Sequence, residues 1–321
     1  MTATRRALLG AALAAPALPA FAQDWPARPV RVIVPYPPGG PTDLVGRVAA
    51  AGLQAELGQP FVVENRAGAG GSIGAGEAAR AAPDGQTLLV NASAHVIVPH
   101  LQRNMPFDAL ADFTPITEIV KVPLILVVNG ALPVRTVQDL IDLAKAQPGR
   151  ISYASSSIGG APHLAGELFK FMTRTDLTHV PYRGSGPALQ DLLAGTVQVM
   201  FDSLASSAEH VRSGRLRAIA VTTAQRLPDH PELPTIAEAG VPGYEIATWY
   251  AMWAPKGMAP ALATRIQQAM AKVVAREDAR SRYGAMGATP IASPPADFAR
   301  FCASEYDRWG RLIRDAEIKG E

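Results

Sequence analysis

VRVIVPYPPGGPTDLVGR, Val30 to Arg47, is the stretch from which the fold can be read. Val30, Val32, Ile33 and Val34 make the short apolar run of a buried strand. Pro37-Pro38-Gly39-Gly40 is a turn, and Pro41-Thr42-Asp43 opens a helix that carries Leu44, Val45, Val48, Ala51 and Ala55 on one side. Proline suits a first helical position because it has no N–H to leave unpaired. Gly39 and Gly40 remove side chains where the backbone amides emerge. The expected product is a bare helix N-terminus at the carboxyl end of a strand, a place that favours an anion.

The motif returns about 120 residues later as ISYASSSIGGAPHLAGELF, Ile151 to Phe169. Gly159-Gly160 matches Gly39-Gly40, His163 matches Asp43, and Leu164 matches Leu44. FVVENRAGAGG, Phe61 to Gly71, is echoed by LTHVPYRGSG, Leu177 to Gly186, each a strand, an arginine (Arg66, Arg183) and a glycine-rich turn. Two similar halves, each with a glycine-lined helix mouth, predict a two-domain clamp.

Strands are expected at 61–63, 87–90, 113–120 and 123–128, with helices over 72–82 and 137–146. The second half repeats the order with strands at 151–154, 179–182, 197–201 and 217–221. A strand at 248–255 and a helix at 261–275 resemble the 123–146 unit. Alternation of strands and helices favours α/β architecture with mostly parallel sheets and right-handed crossovers. The economical topology lets each half donate its closing strand and helix to the other. Lobe 1 is then 23–121 plus 247–321, and lobe 2 is 122–246, with the second crossover somewhere in 225–247. The tail from Pro294 to Lys319 is expected to be a helix packed on the first lobe.

The first 22 residues read as an export signal. Arg5-Arg6 precede an apolar core from Ala7 to Ala20, and Ala20-Phe21-Ala22 is a small-x-small cleavage site. Both the general secretory and the twin-arginine routes fit. The whole chain holds 30 Lys+Arg against 28 Asp+Glu, and removing this segment takes away two arginines. A near-neutral mature chain without basic blocks gives no sign of a nucleic-acid partner. The single cysteine, Cys302, has neither a disulfide partner nor a CxxC neighbour and reads as a buried small hydrophobe.

Six stretches in order resemble one family: WPARPVRVIVPYPPGGPTDL, VENRAGAGGSIGA, AAPDGQTLL, VPYRGSGPALQDLLAGTVQVMFDS, LRAIAVTT and LPTIAEAGVPGYE. The chain resembles the Bug-type periplasmic receptors of tripartite tricarboxylate transporters over essentially its whole mature length. The resemblance implies a two-lobed periplasmic-binding-protein fold (a type II-like Venus flytrap). A small organic carboxylate would lie between the lobes, held by loop amides and bridging waters, and be handed to a membrane permease. No cofactor, no metal and no catalysis are implied, and a monomer is the default for a cleft that opens and closes.

The ligand is expected where the carboxyl ends of strands converge. Candidates from the first lobe are Tyr36, Pro38, Gly39, Gly40, Asp43, Ser93 and Ala94. Those from the second are Ser156, Ser157, Gly159, Gly160, Ala161, His163 and Asp202. Backbone N–H groups and serine hydroxyls can ligate a carboxylate without a buried cation. Asp43 reads as a helix cap, and the resemblance implies that it fixes cleft waters. His163 reads as a satisfied helix-start histidine or a ligand contact, and Tyr36 as flanking the ligand or packing. Asp202 caps, pairs or accepts from the guest. Arg66 and Arg183 pair with neighbouring acids, stay solvated or meet a distal carboxylate. The sequence leaves two rivals: an exported hydrolase or isomerase using His163 and Asp202, and a receptor serving a sensor kinase. Gly68 to Gly74 breaks GxGxxG at Ile73, and no GxSxG elbow or HExxH is present.

Overall fold

A computed structural model describes residues 25–102 and 104–318. The export-signal reading of residues 1–22 lies outside the described residues. The chain opens with β1 (Val30–Val34), α1 (Pro41–Leu57), β2 (Phe61–Asn65), α2 (Ser72–Ala79), β3 (Thr87–Ala92) and a single-turn α3 (Ala94–Ile97). Then come β4 (Phe113–Asn129), α4 (Val137–Ala146), β5 (Ser152–Ser155), α5 (Ala161–Thr173), β6 (Thr178–Pro181), α6 (Ser185–Ala194), β7 (Val199–Ser203), α7 (Leu204–Arg212) and β8 (Leu216–Val221). After an irregular stretch the chain closes with β9 (Ala247–Pro255), α8 (Pro260–Ala275), α9 (Glu277–Ala285), β10 (Thr289–Pro290) and α10 (Pro295–Asp315).

β1 is flanked by β2 and β3 in parallel register, and β5 by β6 and β7 in the same way. These three-strand parallel cores place the carboxyl ends of β1 and β5, with the glycine turns that follow them, in equivalent positions. The remaining pairings are antiparallel. β9 lies between β3 and β4, and β4 continues beside β7 and β8. Expected strands at 113–120 and 123–128 are corrected to one 17-residue strand. Phe113 to Pro123 pairs with β9, whereas Leu124 to Val128 pairs with β7 and Ile125 to Asn129 with β8. Pro123 has no N–H to give to a ladder, and it sits where one partner strand hands over to the next. β4 thus runs through both sheets as a shared beam.

The expected apolar side of α1 is also corrected. Val45, Ala49, Ala50 and Leu53 are buried, while Leu44 is 43% exposed and Ala51 is exposed. Small residues turn the helix: a side chain at Gly52 would come within 2.2 Å of Val273 on α8, so glycine lets the two helices close. The tail helix α10 packs on β4 and α3. It buries Phe298, Cys302, Trp309, Leu312 and Ile313, each side chain of Leu or Phe size stabilising by about 1.5–3 kcal/mol. No described helix is long and apolar enough to cross a membrane.

Candidate functional site

Gly39 and Gly159 each follow a strand and take φ of +84° and +72°, a left-handed conformation that side chains disfavour. The second glycine of each turn, Gly40 or Gly160, is the extended residue before its helix and offers no side-chain cap. Pro41 opens α1, and Pro162 lies in the first turn of α5, so each helix start loses one N–H to proline. The Leu44 amide returns to the Gly40 carbonyl at 3.0 Å, and Leu164 to Gly160 at 3.1 Å. Two helix N-termini are left without side-chain caps.

Both open into one cavity of about 850 Å³ between the sheets. Its wall includes Tyr36, Pro38, Gly40, Ser93 and Ala94 from the first half. Ser156, Ser157, Gly160, Ala161 and Asp202 line it from the second. Thr248 and Tyr250 of β9 and Val122 and Leu124 of β4, none of them singled out in the sequence, make part of the wall. They come from the shared strands, so no local motif marked them.

The remaining four candidates, Gly39, Asp43, Gly159 and His163, are not among the lining residues. Gly39 N–H donates to Asp43 Oδ2 at 2.8 Å, and Gly159 N–H donates to His163 Nδ1 at 3.1 Å. The third residue of each helix therefore reaches back to fasten the turn in front of it. This is the capping arrangement moved one residue upstream of its usual place.

Asp43 is 1% exposed. Its Oδ2 also accepts from Arg47 Nε at 2.8 Å, and its Oδ1 accepts from Asn65 Nδ2 at 2.9 Å. Burial raises its pKa, but bonds from Arg47, the Gly39 amide and Asn65 together hold it below the ordinary carboxylate range. Asn65 also donates to the Tyr36 carbonyl at 3.0 Å, tying the turn to the end of β2.

His163 must be neutral at Nδ1 to accept that amide. Its ring stacks on His179 at 4.2 Å, and His179 stacks on Tyr153 at 4.8 Å. Ser155 Oγ gives its proton to the Ser157 carbonyl at 3.1 Å, so it accepts from His179 Nε2 at 2.7 Å. Burial lowers the pKa of both histidines, His179 to about 3, with Lys170 repelling the charged form of each. Tyr153 donates to Glu167 at 2.6 Å behind this stack.

Asp202, 1% exposed, accepts from three hydroxyls: Ser185 at 2.8 Å, Ser206 at 2.5 Å and Ser207 at 2.6 Å. Of the two arginines that follow strands, Arg66 pairs with Glu64 at 3.0 Å and with Glu77 at 3.3 Å, away from the cavity. Arg183 lines the cavity. His95 is buried against Phe113 and Trp253 and faces the Ala109 carbonyl through Nε2. No metal-holding group of His, Cys, Asp or Glu occurs among the described residues.

A family model described as "Tripartite tricarboxylate transporter family receptor" matches residues 45–318. Protein BugT of Bordetella pertussis is 39% identical over 305 residues, covering 94% of each chain. The solved structure of Rpa4515 from R. palustris with adipate superposes with a TM-score of 0.81 at 39% identity, covering 93% of this chain and 100% of that one. MatC (Rpa3494) from Rhodopseudomonas palustris, with bound malate, gives 0.76 at 31% identity, covering 90% and 100%. Repeated strand–glycine–helix units, a shared beam strand and a cavity between two helix mouths thus come with matched sequence over nearly the whole chain, which belongs to the tripartite tricarboxylate transporter receptor family.

Proposed function

We propose that this chain is a periplasmic solute receptor that closes its two lobes on a small organic carboxylate and delivers it to membrane permease subunits. One observation carries the reading: uncapped N-termini of α1 and α5, one from each lobe, face the same cavity. Amides and dipole ends on opposite walls suit a negative group better than any other. Serine hydroxyls at 93, 156 and 157 add donors, and Tyr36, Pro38 and Ala161 supply apolar wall. Asp43 and His163 act behind the turns, each accepting the glycine N–H and so fixing the backbone that leads into its helix mouth. The adipate and malate of the two solved relatives make dicarboxylates the first compounds to try.

A hydrolase or isomerase using His163 and Asp202 has less support. His163 Nδ1 is engaged by Gly159, and both oxygens of Asp202 are engaged by serines, so no nucleophile–base–orienter set faces a guest. Service to a sensor kinase instead of a permease leaves the same cavity. Recovery of the membrane partner by crosslinking tells the two apart.

The test is mass spectrometry of the compound released from gently purified protein, with thermal unfolding against a panel of organic acids. A melting rise that tracks acid concentration without product supports the receptor. Turnover of the acid would sink it.

A further inference from the structure

The two glycine turns match in conformation but not in surroundings. At Gly39, apart from its chain neighbours, no atom lies within 4 Å of where a side chain would start. At Gly159 that position is 3.0 Å from Leu101 Cδ1 and 3.6 Å from Val98 Cγ2. Val98 and Leu101 belong to the segment that follows β3 and α3 in the first half, whereas Gly159 leads into α5 in the second. A side chain from one half thus lies over the turn that opens the other half's helix mouth.

Each side of this contact is held by its own half. The Val98 carbonyl accepts from Leu101 N–H at 2.9 Å and from Gln102 N–H at 3.0 Å. The His100 ring stands 4.1 Å from that of Tyr306 on α10, and a side chain at Gly310 would come within 2.6 Å of it, so glycine lets the tail helix press on this segment. Across the gap, Gly159 N–H is fastened by His163. Among the described residues no hydrogen bond joins residues 98–102 to residues 155–163. Parting the two sides therefore leaves no donor or acceptor unpaired, and only apolar contact is lost. A contact of that kind can be made and broken repeatedly at little polar cost.

Resting on the receptor reading above, we infer that Leu101 is a latch between the lobes: its side chain seats on Gly159 when they close and leaves it when they open. Leu101 is not among the residues that line the cavity. It acts on the guest only through closure, so it sets how long a guest stays and not which guest enters. Gly159 then has two reasons to lack a side chain, its φ of +72° and the seat it gives the leucine. Gly39, which nothing from the other half covers, has only the first.

The experiment puts a reporter at the contact. The Leu101→Cys protein is alkylated with N-ethylmaleimide, alone and with adipate, malate, citrate, glutamate or benzoate, and mass spectrometry reads each site. Cys302 is buried and gives a silent background, and Val62→Cys, at a position 48% exposed on β2, is the control. An acid that raises the melting temperature should slow alkylation of Leu101→Cys about fivefold or more and leave Val62→Cys unchanged. In rapid mixing, Leu101→Ala should release that acid about three- to tenfold faster, with association and the unliganded melting temperature in place. Leu101→Met, which keeps the apolar volume, should restore slow release. Alkylation that the bound acid does not slow, or release that Leu101→Ala leaves unchanged, overturns the latch alone. A panel in which no acid raises the wild-type melting temperature overturns the receptor reading, and the latch with it.

Discussion

His163 Nδ1 holds the amide of Gly159 at 3.1 Å, as Asp43 Oδ2 holds that of Gly39 at 2.8 Å in the other lobe. Two chemically different side chains, at matching helix positions, do the same work on matching turns. One does it as an anion bound by Arg47 and Asn65, the other as a neutral ring under His179. Their responses to substitution and acid should differ accordingly.

Asp43→Ala removes the acceptor of three donors, from Gly39, Arg47 and Asn65, and leaves the Gly39 amide without its side-chain partner. Urea denaturation should show a loss of about 2 kcal/mol in the unliganded protein, together with weaker carboxylate binding. Weakened binding at full stability would show instead that Asp43 touches the guest through the cleft.

Acid should loosen the fold through its buried histidines. Burial lowers the pKa of His95 from 6.5 to about 4, of His179 to about 3, and of His163 below its ordinary value. The unfolded chain takes up these protons first, so their contribution is present above about pH 6.5 and lost as pH falls through the folded values. A protonated His163 would also set N–H against the Gly159 N–H. Melting temperature and carboxylate affinity should both decline on acidification. His163→Gln, whose amide oxygen can accept without titrating, should flatten part of that decline; an unchanged slope counts against the role.

Glu118 on β4 has the opposite sign. It is 6% exposed, its Oε1 has no hydrogen-bond partner, and burial raises its pKa from 4.5 to about 7, Lys121 opposing and Glu305 adding to the shift. Its favourable contribution is complete below about pH 4.5 and is lost as pH rises through 7. Glu118→Gln should therefore stabilise the protein at pH 8 by up to about 3 kcal/mol and have little effect at pH 5. Denaturation curves at the two pH values decide it.

Glu305 on α10 accepts from Trp309 Nε1 at 2.9 Å and from Trp249 Nε1 at 3.3 Å, and so joins the tail helix to β9. Glu305→Ala leaves two buried indole N–H groups without an acceptor. A loss of about 2–4 kcal/mol is expected, with a changed tryptophan emission. Glu305→Gln, which keeps an acceptor oxygen, should recover much of it.

Residues 30–47 and 151–169 contain all that their local structure needs: apolar runs, glycines at positive φ, proline in the first helical turn. The strands, the glycine turns and their duplication were therefore legible without coordinates, as was the family through six ordered stretches. Strand ends and the buried side of α1 were less so. Gly46 and Gly52 leave room for Val34 and Val273, and that room exists only once the neighbours are in place. Pattern counting likewise split β4 at Lys121 and Val122, because a shared beam changes partners just beyond, at Pro123, and local periodicity records no partner.

What the sequence by itself determined is the pair of helix mouths, since turn geometry and helix starts are set by residues a few positions apart. The tertiary structure alone decided that both mouths open into one cavity, that Asp43 and His163 stand behind the glycines, and that Arg66 is neutralised while Arg183 is not. Those outcomes depend on contacts between residues far apart in the chain, such as Ser185 with Asp202 and β4 with β9. Such pairings lower the free energy only after the shared strands have brought the halves together.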